Sequence, residues 1–314
     1  MSIKPDKTRV AVLAGGIGRE RSISINSGKA VAEALRQAGF DVVLSDITPD
    51  NTGILDDDSR DVFFVALHGE FGEDGQIQQM LEDKSLCYTG SGPAACRLAF
   101  DKMASKAAFA GAGVAVPAAF EFSEKTDIGI LKEKLSRLGR RFVVKPIRQG
   151  SSVGLHIAED VGQAIADAGR CLSEFGDCMI EQLIDGADIT VGVLSGKALP
   201  VIELKTRKGF YDYDAKYADR CTQFLFETIK EPQIIEHINT SALSCFRAIG
   251  CRHFARVDFR LTDEGRAFAL EVNAIPGFTA RSDLPKAAAR MGISMPKLCR
   301  EIVEAALKER LPCI

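Results

Sequence analysis

Apolar runs and polar breaks alternate along the chain, and their period changes from segment to segment. Thr8–Gly16 is a β-branched, apolar run ending in glycines, which predicts a buried strand. Ile23–Ala38 follows with apolar positions at helical spacing and stops at Gly39, a helix-ending residue. Asp41–Asp46 and Val62–Leu67 read as further strands. Strands alternating with helices predict a parallel α/β unit over 1–96. A helix-rich stretch, 97–112, leads into a second unit, 97–183. It carries strands at Val116–Phe122, Arg141–Pro146 and Cys178–Leu183, and helices at 127–138 and Asp160–Leu172. The third unit, 184–314, is expected to hold strands at 188–194 and 198–205, a polar segment at 206–222 and a helix at 232–249. A strand pair at 254–261 and 267–277 and a last helix at Met295–Glu309 complete it. The fold class is therefore α/β, a parallel N-terminal unit followed by two mixed-sheet units.

The strand pair, FARVDFRL and AFALEVNAIPG, is the most informative segment. Side chains alternate faces along a strand, so Arg256 and Asp258 share one face, and Glu271 and Asn273 share one face of the neighbour. Paired as a hairpin through 262–266, the two strands bring two carboxylates and an amide together beside a guanidinium. Like charges opposite each other destabilise a sheet, so a compensating cation is expected. Oxygen-only ligands suit a hard ion such as Mg²⁺, which commonly holds substrate phosphates too. An amphipathic hairpin with a wet outer face is the plain alternative.

Other segments carry weaker chemistry. RFVVKPIRQGSSVG (141–154) delivers Lys145 from an apolar strand into a Gly/Ser loop. Small residues let backbone N–H groups approach an anion, and lysine supplies a point charge for phosphate. No Gly-Lys-Ser/Thr opens a helix, so this is not a Walker A loop; a surface turn explains the glycines equally well. Glu181, in CMIEQL, is placed to accept a hydrogen bond from an exocyclic amine, or is an ordinary edge-strand acid. His68 ends a strand at the edge where parallel sheets bind ligands, and is otherwise structural. Glu20 opens a helix after the Gly turn AGGIGRERSIS, where a carboxylate also complements the helix dipole. KGFYDYDAKY (208–217) reads as an ordered loop able to fold over a site, or as a plain surface excursion.

Composition narrows the classes. With 314 residues, 46% hydrophobic and 26% charged, the chain has an ordinary globular make-up. A net charge of −3, four Tyr and no Trp leave no basic or base-stacking footprint for nucleic acid. Nine Cys are scattered without a CxxC pair, which predicts free buried thiols in a reducing, cytoplasmic setting. No run has membrane-spanning length, and the N-terminal apolar stretch is too short for a signal peptide.

Taken together and in order, AGGIGRERSIS, ALHGEFGEDG, YTGSG, DKMASK, VVKPIRQGSSVG, IEQL, FYDYDAKY, ARVDF and EVNAIPGFT resemble the signatures of the D-alanine–D-alanine ligases, in the ATP-grasp superfamily. The resemblance runs from about residue 8 to 310. It implies an ATP-dependent enzyme that phosphorylates the carboxylate of one D-alanine and lets the amine of a second displace the phosphate. On that resemblance Lys102, Lys145, Ser151 and Ser152 hold the ATP phosphates, with Lys216 beside them. Glu181 and Leu183 frame the adenine and Asp188 faces the ribose. Asp258, Glu271 and Asn273 carry two Mg²⁺ ions, with Mn²⁺ as an alternative. Glu20 holds the first substrate's ammonium and His68 its carboxylate. Arg256 and the Gly277 N–H stabilise the oxyanion, Ser282 meets the second carboxylate, and Tyr217 closes down near Glu20 and Ser151. A homodimer and a role in peptidoglycan precursor synthesis are implied as well.

The chain departs from that pattern at several positions. Asp188 stands where the family usually has Glu, and Ala274-Ile275 replaces the usual Thr followed by Ser or Leu. Asp283 stands beside Ser282 where the family has an apolar or basic residue. An acid there repels an incoming carboxylate unless it is turned away or paired, with Arg281 as the nearest cation in sequence. A related ligase with a different second substrate is the alternative this raises. Tyr217 is kept, which implies an amino-acid acceptor rather than D-lactate. A catalytically silent ATP-binding protein is the reading from another class, and the full set of Lys, Arg and acidic positions argues against it.

Overall fold

A computed structural model describes residues 4–206 and 222–310 of the chain. Strand β1 (Arg9–Gly15) is followed by helix α1 (Arg21–Gln37), β2 (Asp41–Ile47), β3 (Val62–Val65), α2 (Gln76–Asp83), α3 (Pro93–Phe100) and α4 (Lys102–Gly111). The strands form a parallel sheet of order β2-β1-β3. Its centre is buried on both faces: Ala11 and Leu13 of β1 join one core, Val10 and Val12 another. That is why the run from Thr8 reads as continuously apolar rather than alternating.

The middle of the chain forms a second, antiparallel sheet. It comprises β4 (Ala119–Phe122), β5 (Phe142–Pro146), β6 (His156–Ala158) and β7 (Cys178–Gln182), in the order β4-β7-β5-β6, with α5 (Ile128–Leu138) and α6 (Val161–Phe175). This layer has its own core of Leu135, Phe142, Val144, Ala168 and Ile180. Asp127 and Asp160 cap the two helices by accepting from Ile130 N and Gln163 N at 2.9 and 2.8 Å. Asp101 does the same for α4, accepting from Ala104 N at 2.9 Å.

The third sheet is antiparallel too. It holds β8 (Ala187–Leu194), β9 (Lys197–Ala198), β10 (Ile202–Lys205) and β11 (Gln223–Phe226), then, after α7 (Pro232–Ile249), β12 (Phe254–Leu261) and β13 (Ala267–Asn273). Its order is β11-β10-β8-β12-β13, with β9 on β8. Helices α8 (Asp283–Arg290) and α9 (Met295–Arg310) close the described chain, α8 on β8 and α9 on α1. Helix α7 opens with Pro232 and ends at Gly250, whose left-handed backbone (φ 79°) terminates the helix.

The elements differ from the sequence reading in a few places. Helices α2 and α8 and strands β6 and β11 were not anticipated, being short or lodged in loop-like sequence. The hairpin forms, but its second strand ends at Asn273 rather than Gly277. The 97–112 stretch is two helices, with α4 packed on β13 and α7 of the third sheet.

The first and third sheets share cores. Phe64 of β3 stacks with Phe254 of β12 at 6.3 Å, and both meet Phe278 edge-on at 5.3 Å. This trio fixes the segment after β13 against the N-terminal sheet. Phe254→Ala is expected to cost about 3–5 kcal/mol of unfolding free energy, as for other large buried aromatics. Denaturant titration checks it; a loss below about 1 kcal/mol would show that the trio does not fasten the two sheets.

Candidate active site

The hairpin register decides what its polar residues can do. Asp258 lies directly across from Glu271, and Arg256 across from Asn273. The ladder then slips: Phe259 pairs with Ala269, which leaves Leu270 as an extra residue on β13 next to Glu271. Such bulges bend a strand and re-aim its side chains, and they recur beside active sites. The face is recessed rather than an open outer surface, the side chains of Arg256, Asp258 and Glu271 being 10%, 13% and 28% exposed.

The repulsion between the paired acids is offset by named neighbours. Arg256 donates to both oxygens of Asp258, Nε to Oδ1 at 2.9 Å and Nη2 to Oδ2 at 2.8 Å. Thr190 of β8 donates to Asp258 Oδ1 at 2.6 Å. Lys102 Nζ stands 3.8 Å from Glu271 Oε2 and also donates to the Gln149 carbonyl. Asn273 turns its Oδ1 to accept from Ile275 N at 3.0 Å.

Oxygen is the only donor type on this face. Among the described residues no group of three or more His, Cys, Asp or Glu is arranged to hold a metal. A cation at this rung would be held by Asp258, Glu271 and Asn273 and would complete its shell elsewhere. Mg²⁺ commonly sits in that way, on one or two carboxylates plus substrate phosphates. The residues fit such an ion.

Two cavities meet at this rung. The larger, about 580 Å³, is lined by Glu20, Ser151, Arg256, Asn273, Gly277, Ser282 and Asp283, among others. The smaller, about 110 Å³, lies between the second and third sheets and is lined by Lys145, Ser152, Glu181, Leu183, Asp188 and Asp258. Lys102, Gln149 and Glu271 border both. Residues from the three sequence units thus line two adjoining cavities.

Glu20 is not used as a helix cap: it sits at the N-cap of α1 with no capping bond from its side chain. Instead its carboxylate accepts from the Ser151 hydroxyl of the β5–β6 loop. A Cβ on Gly150 would come 2.7 Å from Glu20 Oε2, so a side chain at 150 would displace the carboxylate from this position. Ser151 and Ser152 both hold left-handed backbone, at φ 54° and 58°. Such residues persist where the surroundings over-determine them, and they cluster at ligand clamps. At the far end of the cavity a Cβ on Gly277 would lie 2.6 Å from Ser282 Oγ, so these two positions are in close contact. Ser282 Oγ accepts from Thr279 N at 3.0 Å, which leaves the hydroxyl at the cavity wall.

His68, Asp283 and Glu181 have partners that the sequence did not show. His68 does not line the cavity. It is 4% exposed, with Nε2 2.9 Å from Ser27 Oγ and Nδ1 3.7 Å from Glu73 Oε1, and of these partners Glu73 lines the cavity. Asp283 is paired with Arg256, whose Nη1 lies 3.6 Å from Asp283 Oδ2, where Arg281 was the sequence-adjacent candidate. It also opens α8, and a carboxylate is favoured at a helix N-terminus. Glu181 is on the interior strand β7, not on an edge, and its carboxylate is gripped by two lysines, Lys145 and Lys106. Burial alone raises its pKa, but the two ammoniums outweigh that and hold it below the usual carboxylate range. Asp188 is paired with Arg260 at 2.9 Å. Lys216 and Tyr217 lie outside the described residues.

A family model described as "D-ala D-ala ligase C-terminus" matches residues 109–304, more than half of the chain. The chain belongs to the D-alanine–D-alanine ligase family. The D-alanine–D-alanine ligase of Anaeromyxobacter sp. (strain K) is 42% identical over 304 residues, covering 96% of this chain and 97% of that protein. That of Aquifex aeolicus (strain VF5) is 38% identical over 297 residues, covering 94% and 99%. The crystal structure of the Bacillus anthracis D-alanine–D-alanine ligase complexed with ATP superposes with a TM-score of 0.83 at 30% identity, over 96% of this chain and 98% of that one. A D-Ala:D-Ser ligase of Enterococcus faecalis also gives 0.83, but at 24% identity, and shows the shared fold alone.

Lys106, Thr190 and Glu73 were missed from sequence. Lys106 had a signal, since DKMASK places it one helical turn after Lys102. A threonine inside a strand carries none.

The Glu20–Ser151 bond ties the first unit to the second across the cleft. In a double-mutant cycle, Glu20→Gln and Ser151→Ala are expected to couple by about 1.5 kcal/mol in unfolding free energy, as a hydrogen bond to a charged group does. Strictly additive losses would mean that the bond does not hold the units together.

Proposed function

We propose that the protein joins two D-alanine molecules to D-alanyl-D-alanine with ATP, through a D-alanyl phosphate, releasing ADP and phosphate. The meeting of the two cavities at Lys102 and Glu271 carries the reading. The triphosphate of a nucleotide in the smaller cavity would end where the larger one begins. There a substrate carboxylate attacks the γ-phosphorus and ADP leaves. The deprotonated amine of the second D-alanine then attacks the acyl carbon, and phosphate departs with the bonding pair.

The residues that line the two cavities support the following roles. Lys102, Lys145 and the Ser151–Ser152 loop take the phosphates, Leu183 and Glu181 flank the base, and Asp188 is at the ribose. Asp258, Glu271 and Asn273 hold Mg²⁺, two ions by family analogy with Mn²⁺ as a substitute, and the metal supplies charge neutralisation when bound. Glu20 takes the first ammonium, and His68 supports that end through Ser27 and Glu73. Arg256, held rigid by Asp258 and Asp283, faces the developing oxyanion with the Gly277 N–H, and Ser282 meets the acceptor carboxylate. Lys216 and Tyr217 belong to the segment we assign to closing the cleft, since an acyl phosphate must be shielded from water.

The division at 1–96, 97–183 and 184–314 is the clamp we assign to this reaction, working as a homodimer in the cytoplasm, in peptidoglycan precursor synthesis. No helix among the described residues is long and apolar enough to cross a membrane.

Asp283 favours one second reading. It lines the larger cavity with Ser282, and although Arg256 offsets its charge, an acid still stands at the acceptor end, so a different amino acid as second substrate is the alternative. Phosphate release with ATP, Mg²⁺ and D-alanine alone, followed by mass analysis, tests both. D-alanyl-D-alanine is the expected product; turnover only after a second amino acid is added would replace this reading with a mixed-dipeptide ligase. Glu271→Gln is expected to cut kcat by several orders of magnitude with the fold retained, because a metal ligand and half of the paired rung are lost. Near-normal turnover would refute the metal assignment.

A further inference from the structure

Glu181 is a single buried carboxylate with two ammoniums on it. Lys145 Nζ lies 3.0 Å from Oε1 and Lys106 Nζ 2.5 Å from Oε2. The two lysines differ in access. Lys145 lines the smaller cavity, whereas Lys106 lines neither cavity and sits behind Glu181, 5% exposed. Its ammonium also reaches the Pro117 carbonyl at 3.4 Å. One negative and two positive charges leave the group with a surplus of one positive charge, and only Lys145 is placed to deliver it to a ligand.

A buried carboxylate needs a counter-charge at all times, since an uncompensated one is costly. With Lys106 present, Glu181 keeps a partner when Lys145 moves away. Without it, Lys145 is pinned to Glu181 as its remaining lysine partner. We propose that Lys106 is a positioning residue for nucleotide binding: it neutralises Glu181 from behind and so releases Lys145 to carry its charge to the ATP phosphates. This rests on the nucleotide reading given above.

The local electrostatics agree. Burial pushes the Lys106 ammonium down, Glu181 pulls it back up, and repulsion from Lys145 pushes it down again. Transfer of Lys145 from the carboxylate to a phosphate relieves that repulsion. Glu181 keeps a lysine partner with or without Lys106, so its place beside the base is retained and the effect acts on the phosphates.

Binding measured by calorimetry on the full chain separates these contributions. Wild type, Lys106→Met, Lys106→Arg, Glu181→Gln and Lys106→Met/Glu181→Gln are titrated with ATP and with adenosine. Lys106→Met is expected to weaken ATP at least tenfold while adenosine changes by less than twofold. Lys106→Arg, which keeps the charge, should recover most of the ATP affinity. The double variant, with no carboxylate left to pin Lys145, should bind ATP within about threefold of Glu181→Gln alone. Unchanged ATP binding in Lys106→Met, or an equal loss of adenosine, would overturn the proposal. If Lys106→Met does not fold, the double variant decides: a further large loss relative to Glu181→Gln overturns it. Wild type failing to bind ATP would sink the nucleotide reading and this proposal together, whereas wild-type binding with an unaffected Lys106→Met sinks this proposal alone.

Discussion

Asp258 and Glu271 occupy the same rung of the β12–β13 ladder, so two carboxylates are held side by side in a cleft that is mostly shielded from water. Directly opposed like charges destabilise a sheet, and a low-dielectric site makes the cost larger. Much of the surrounding structure offsets that repulsion. Arg256 holds Asp258 with two hydrogen bonds, Thr190 adds a third, and Lys102 stands beside Glu271. Rungs such as this are tolerated where a cation or a charged substrate completes the balance, and here the two cavities converge on it.

The same balance is repeated one layer away. Glu181 with Lys106 and Lys145 is the mirror arrangement, one acid between two cations. Counting Asp283, which Arg256 also holds, the first cluster has three acids to two cations, and the Glu181 cluster has two cations to one acid. A polyanion bridging a metal and lysines fits between them, which is the electrostatic pattern of a phosphoryl-transfer site.

Packing keeps the clusters in register. The Phe64–Phe254–Phe278 trio locks the segment that carries Gly277 to the parallel sheet, and α4 carries Lys102 and Lys106 against β13. The second sheet has a separate core, and the Glu20–Ser151 bond crosses from the first unit to its loop.

Much of this was legible in the sequence. Hydrophobic period gave the strands and most helices, because burial on one or both faces is a local property of each element. Period-two alternation also placed Arg256 with Asp258 and Glu271 with Asn273 before any register was known. Short elements such as β6, β11 and α8 were not legible, since a few residues carry too little periodicity. The choice of partners was not legible either. Asp283 against Arg256, His68 drawn behind Ser27 and Glu73, and Lys106 under Glu181 join residues distant in sequence. Coulomb and hydrogen-bond energies depend on distances that only the packing of three sheets sets. The sequence by itself determined which chemical groups the chain carries and which face of each strand they take; the tertiary structure decided which charges meet.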